Sequence, residues 1–397
     1  MRKIAATYIF TGNHPPLKYG ILICENDGTI IEAIDTGGTL HEQAGLEYYN
    51  GILVPGFVNA HCHLELSHLK GKIPPQNGLP GFLGEINKLR NAPFEIVEAA
   101  AKKADFEMKS SGIAAIGDVA NSDITIEIKK QSSLWYHTFS EAFGFLPSRA
   151  SKAFLLAEGV HKLFLTAGLS SSVTPHSVYA VSEPLFRMIT DKAVKEESIL
   201  SIHCLESIAE DELIREGNGL LADHYSNNLL LDISQRKPVN KNTAEYILQF
   251  IPSAIRLLLV HNTFISKKDI STILQCRESY NTFFVVCPNS NLYIGNTLPP
   301  VMLLRDEQLN ICIGTDSLAS NNQLSVLHEM ITLHQHFPQI KLEEFIQWGC
   351  LNGARALNID DRFGSFEKGK KPGINLITGV DLQLLHLTPR AGIKVLL

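Results

Sequence analysis

Nowhere in the 397 residues does an apolar run approach the roughly 20 residues that a helix needs to cross a bilayer, so no transmembrane helix is expected. The first stretch, MRKIAATYIFTGNHPP, starts basic, but polar residues and then prolines break it before a signal-peptide core forms, and export is not expected. An excess of cations is lacking too. Lys and Arg number 35 against 41 Asp and Glu, giving a net charge of -6, and the cations are scattered, which leaves no field to attract a phosphate backbone. A small-molecule substrate is therefore expected, with neither nucleic acid nor membrane as a partner. Paired cysteines are also missing: Cys24, Cys62, Cys204, Cys276, Cys287, Cys312 and Cys350 are odd in number and far apart. That pattern points to reduced thiols and a cytoplasmic setting. The sequence is silent on oligomeric state and leaves a homodimer open.

What is present is an alternation of two textures. Residues 1–52 read as short strands between turns (KIAATYIF, YGILICEN, TIIEAID), and residues 364–397 share that texture in INLITGV and IKVLL. The two ends are expected to pair as a small β-sandwich domain. Between them, residues 53–363 alternate short apolar runs with amphipathic stretches such as EIVEAAAKKADFEMKSSG, as parallel βα units do. Eight strand candidates can be counted: GILVPGFVNA, IAAIGDVA, LWYHTFSE, SSSVTPHS, SILSIHCLE, IRLLLVHN, TFFVVCPNS and LNICIGTDS. The expectation is an α/β fold, a (β/α)8 barrel of TIM type carrying the small β domain.

A barrel of this kind places its active site where the strands end. Nearly every candidate strand ends in a polar residue: Asn59 with His61 and His63, Asp118, Glu141, His176, His203 with Glu206, His261, Asn289 and Asp316. A lone histidine at such a place is more often a satisfied core group than a ligand, but so many together shift the odds. In HCH, period-2 alternation points His61 and His63 to one face and Cys62 to the other, which suits two ligands on one metal ion. His203 is the third candidate ligand, with the acid Glu206 at the rim beside it. Asp316 ends the eighth strand, which neighbours the first in a closed barrel and so reaches the same ion. Three neutral imidazoles and a carboxylate suit one divalent metal ion, Zn²⁺ above all, with Fe²⁺, Mn²⁺ or Ni²⁺ as alternatives.

With these motifs in order, PGFVNAHCHLELSHLKG, TPHSVYAVS, HCLE, VHN, CPNSNLYIG and GTDSLASNNQLSVLHEM, nearly the whole chain resembles the amidohydrolase superfamily. Within it, the likeness is to the group of adenosine-type, S-adenosylhomocysteine, guanine, cytosine and triazine deaminases and chlorohydrolases. The resemblance implies that His61, His63, His203 and Asp316 bind the metal and that Glu206 shuttles protons. It also implies that His261 orients water or substrate, that His176 contacts substrate, and that Asn289 and Ser290 shape the pocket. Two positions depart from the pattern: Tyr293 stands where relatives commonly have Lys, and Ile374-Asn375 replaces Ala-Asp. Binuclear members bridge two metals through a lysine on the fourth strand, and SSVTPHS has none, so one ion is expected. A bound divalent ion lowers the pKa of water from 15.7 toward about 7, and Glu206 and then Asp316 would move protons as ammonia departs.

HCHLELS together with GTDSLASN looks most like aminodeoxyfutalosine deaminases of the alternative menaquinone pathway. Such a substrate is an adenine nucleoside with a benzoate tail, so a cation should meet it; Arg149 is the first candidate, and Lys70 and Lys72 are others. Glu65 and Ser67 are candidate partners of the purine or ribose, against a plainer role in holding their own loop. IPPQNGLPGFLGEINKLR is a candidate flap over the barrel mouth. The rivals are another hydrolase of the same fold, acting on guanine, cytosine or a triazine, and a metal-binding barrel that has lost its chemistry. A scaffold of that second kind would have no use for Glu206.

Overall fold

The computed structural model describes all 397 residues. Its strands are β1 (Arg2–Ile9), β2 (Leu17–Lys18), β3 (Ile21–Cys24), β4 (Ile30–Ile34), β5 (Leu46–Pro55), β6 (Phe57–Cys62), β7 (Ile113–Ala120) and β8 (Trp135–Ala142). They continue as β9 (Ser170–Pro175), β10 (Leu200–Cys204), β11 (Leu257–His261), β12 (Thr282–Val286), β13 (Asn310–Ile313), β14 (Ile374–Thr378) and β15 (Gly392–Val395). No helix between them is long and apolar enough to cross a membrane.

The eight strands expected from the sequence are β6 to β13. Their apolar runs are buried on both faces, as parallel strands covered by helices must be: every residue of β11 (LLLVH) and β12 (TFFVV) is buried. The covering helices bury one stripe each; Phe94–Ser110 turns inward Val97, Ala101, Ala104 and Met108, spaced as a helical face requires.

β6-β7-β8-β9 and β10-β11-β12-β13 form two parallel four-stranded sheets. Polar groups at the strand ends close them into the barrel. At one seam Ser177 bridges His203, and the His203 amide donates to the His176 carbonyl at 2.9 Å. At the other, Cys62 bridges Asp316, and the amides of Thr315 and Asp316 donate to the His61 carbonyl at 2.9 and 3.1 Å. The Asn59 side chain locks that second seam by exchanging hydrogen bonds with the amide and hydroxyl of Thr315.

Strands from both ends of the chain join in one mixed seven-stranded sheet, ordered β15-β14-β5-β1-β3-β4 with β2 on β1. GILVPGFVNA is two strands rather than one. Its first half completes β5, which runs on past residue 52 to Pro55 and pairs with β1 and β14. Gly56 stands between the two, where no Cβ fits: one would run into the Pro372 carbonyl and the Ala114 side chain. Asn375, one of the departures from the expected pattern, is buried and donates to the Gly112 carbonyl at 2.7 Å, tying this sheet to the start of β7.

Candidate active site

The closing seams bring the strand-end residues together. His61 and His63 leave β6 on the same side while Cys62 between them is buried. Asp316 Oδ1 stands 3.7 Å from His61 Nε2 and 3.5 Å from His63 Nε2. His203 Nε2 is 3.4 Å from His63 Nε2, and its Nδ1 is directed to the His176 carbonyl at 2.8 Å. Asp316, at φ 54°, and His261, at φ 77°, have left-handed backbone. Such conformations are costly for residues with side chains and concentrate at functional sites.

The donor set fits a divalent cation. His61 is fully buried, yet neither of its ring nitrogens has a hydrogen-bond partner, a cost that a metal ion at the convergence of these groups would remove. Burial holds the imidazoles of His63 and His203 below the usual histidine range, and His261 is lowered to about 3 for the same reason, so the rings are neutral as ligands must be. Burial alone would raise the Asp316 carboxyl, but the neighbouring imidazoles of His61, His63 and His261 favour its charged form and pull it well below the carboxylate range.

Glu206 lies opposite these ligands, its Oε1 at 3.7 Å from His261 Nε2. Burial first, then the nearby carboxylates of Asp316 and Glu210, pushes its acid well above the ordinary value. Its backbone is fixed by Glu210, whose carboxylate accepts the amides of Leu205, Glu206 and Ser207 at 3.1, 2.6 and 2.9 Å. Asn291 Nδ2 donates to His261 Nδ1 at 3.2 Å, leaving the His261 Nε2 side toward Glu206.

A cavity of about 680 Å³ opens over this constellation. His63, His203, Glu206, His261, Asp316 and His176 form its polar floor. Its walls are apolar: Leu79, Phe82, Leu83 and Ile86 come from the helix Gly78–Leu89, inside the segment expected as a flap, and Phe143, Phe145, Leu156, Tyr225 and Leu231 come from other connections. Arg149 is exposed and lines the wall, whereas Lys70 and Lys72 do not.

Four residues expected to meet the substrate lie outside this lining. Glu65 is spent on the Asn121 amide at 3.1 Å and the Ser122 hydroxyl at 2.9 Å, and the Ser67 hydroxyl donates to the Leu64 carbonyl at 2.7 Å. Ser67 holds its own loop, and Glu65 ties that loop to the one after β7. Ser290 donates to Asp316 Oδ2 at 2.6 Å, joined by Ser320 at 2.7 Å, so it orients a candidate ligand instead of shaping the pocket. Asn289 packs behind it, accepting from the Thr332 hydroxyl at 2.7 Å and donating its amide to Glu329 at 2.9 Å. Tyr293 closes the loop after β6, its hydroxyl donating to the Ile73 carbonyl at 2.5 Å.

Sequence reasoning left Glu141 without a role, although it stands at a strand end. Its Oε1 is 2.6 Å from His176 Nδ1, its Oε2 accepts from Asn121 at 3.1 Å, and Asn121 in turn accepts from Arg90 at 2.9 Å. Burial opposes the charge on Glu141, but His176, His203 and His63 hold its acid far below the usual range. Arg90 and Asn121 also line the cavity, and no motif marks them.

The family model described as "Amidohydrolase family" matches residues 52–394. Among relatives, a protein named adenosine deaminase from Helicobacter pylori is 27% identical over 333 residues, covering 83% of this chain and 79% of that protein. An aminodeoxyfutalosine deaminase of Nitratiruptor sp. is 29% identical over 308 residues, covering 76% of this chain and 73% of that protein. Among solved structures, Helicobacter pylori aminofutalosine deaminase in complex with methylthio-coformycin superposes with a TM-score of 0.81 at 23% identity, over 99% of this chain and 98% of that one. At that identity the likeness establishes the shared fold.

Proposed function

From the premise that the chain belongs to the amidohydrolase family and is a hydrolase of C–N bonds, we propose that it removes the amino group from an adenine-type nucleoside as ammonia, with aminodeoxyfutalosine as its substrate. The observation that carries this reading is the convergence of His61, His63, His203 and Asp316 opposite the buried acid Glu206, on the floor of a nucleoside-sized cavity.

Those four residues would hold one divalent ion, Zn²⁺ by its fit to three imidazoles and a carboxylate, which when bound would supply the Lewis acidity that makes water a nucleophile at neutral pH. Glu206 takes the proton that the attacking water gives up and delivers it to the ring nitrogen beside the carbon under attack. His261, anchored by Asn291, keeps the water and Glu206 in line. Asp316, with Oδ2 fixed by Ser290 and Ser320, passes the second proton to the departing amine. His176, held by Glu141, meets the nucleoside, and the apolar walls with Arg149 suit a tail that is aromatic and ends in a carboxylate.

The test is ammonia release by metal-loaded protein from aminodeoxyfutalosine, adenosine, S-adenosylhomocysteine, methylthioadenosine, guanine and cytosine. The expected result is fastest turnover of aminodeoxyfutalosine, with Glu206→Gln lowering kcat by about 10²–10⁴-fold. Release from guanine or cytosine alone, or chloride from a chlorotriazine in place of ammonia, would overturn the substrate assignment.

A further inference from the structure

Glu206 and Leu79 line a second, smaller cavity of about 210 Å³ in addition to the large one. Its outer boundary includes Ile208 and Phe264, 57% and 38% exposed, and the exposed Gly295; its inner boundary is the buried trio Glu206, Thr263 and Asn291. The small cavity therefore runs from the surface to the acid.

Two oxygens of the inner boundary residues lack a partner within the protein. Thr263 Oγ1 and Asn291 Oδ1 are buried and have no hydrogen-bond partner within the protein, although their residues are only 6% and 3% exposed. An unmet buried oxygen of this kind costs about 1–3 kcal/mol unless a guest supplies the bond. Asn291 cannot turn its oxygen elsewhere, because its amide nitrogen is engaged by His261. The space is polar at its inner end and has room for several molecules of water size.

On the deaminase reading, each turnover forms a C–O bond from water, breaks the C–N bond, and releases ammonia, with the two protons of the water ending on the product and the leaving amine. Water and ammonia are both small and hydrogen-bonding, so both fit the small cavity of about 210 Å³, whereas a nucleoside does not. We propose that the small cavity is a side channel through which water reaches Glu206 and ammonia leaves while the nucleoside product is still bound. This inference rests on the proposed deamination.

Two variants leave the ligand residues and Glu206 in place. Gly295→Phe narrows the outer end: a Cβ at Gly295 meets nothing within 4 Å, and the residue has ordinary helical backbone. Thr263→Val removes one of the waiting hydroxyls while keeping its shape. With a substrate that the wild type turns over, both variants are expected to show a first turnover at the wild-type rate, its water being already in place, and then a steady state about tenfold slower, because ammonia release and water resupply set kcat. KM should fall with kcat so that kcat/KM holds, which damage to the chemistry would not produce. Unchanged kcat in both variants, or a matching loss of kcat/KM, would overturn the channel.

A crystal structure of the wild type supplies the readout that does not depend on turnover. Ordered waters on Thr263 Oγ1 and Asn291 Oδ1 are expected there. A dry cavity would refute the channel even if deamination stands, and an enzyme that releases no ammonia would refute the deaminase reading whatever the cavity holds.

Discussion

Lys129→Met tests how the fold holds the first two metal-ligand candidates in place. Lys129 and Asp118 are both fully buried, with Nζ and Oδ2 in contact at 2.6 Å. Lys129 also donates to the Thr138 hydroxyl at 2.8 Å and sits over the Phe164 ring at 4.6 Å. The other oxygen of Asp118 accepts the amide of Leu64 at 2.7 Å, the residue that follows His63. Methionine keeps the volume and removes the charge, leaving a carboxylate in an apolar setting with one amide to satisfy it. Breaking a buried pair in this way costs about 3–5 kcal/mol, whereas replacing both partners is often close to neutral. For 397 residues an unfolding entropy near 2.1 cal/mol/K per residue converts that cost to a fall in Tm of about 4–6 °C. Calorimetry of metal-free Lys129→Met should show that fall, and adding Asp118→Asn, which keeps an acceptor for Leu64, should recover most of it. A single variant within about 1 °C of wild type, or a double variant no better than the single, would refute the assignment.

Ser290→Ala removes one of the two hydroxyls that fix Asp316, and metal affinity measured by chelator competition should fall about 10–100-fold while the fold survives. Unchanged affinity would mean that Ser320 alone orients the carboxylate. Glu329 provides a pH test. Burial raises its acid from 4.5 to about 8, against the opposing pull of hydrogen bonds from Asn289 and Asn321. The folded chain therefore binds this proton more tightly than the unfolded one. The stability it contributes is full below pH 4.5 and is lost as the pH climbs toward about 8. Urea midpoints of wild type should fall relative to those of Glu329→Gln across that window, and parallel curves would contradict the burial argument.

The cores of the barrel strands were legible because parallel strands buried on both faces are largely apolar, with β9 (SSSVTP) the most polar of them. The HCH pair was legible because alternation along a strand is fixed by backbone geometry. Glu65 and Ser67 were misplaced for a local reason. Straight after His63 the chain turns into a 3-10 helix, Leu64–Leu69, which swings both residues onto neighbouring loop atoms and away from the cavity. The bond from Ser290 to Asp316 was not legible because Asp316 lies just past the end of the next strand, β13, and no local pattern records that pairing.

The sequence by itself determined the order of elements, the candidate cation ligands and the candidate acid beside them, since all of these follow from periodicity and side-chain chemistry within short stretches. Only the tertiary structure decided that Glu141 holds His176, that Arg90 and Asn121 reach the same cavity, and that Thr263 and Asn291 join Glu206 in lining a second, smaller cavity. Those contacts join segments far apart in the chain, and they exist because closing the barrel brings every strand end to one rim.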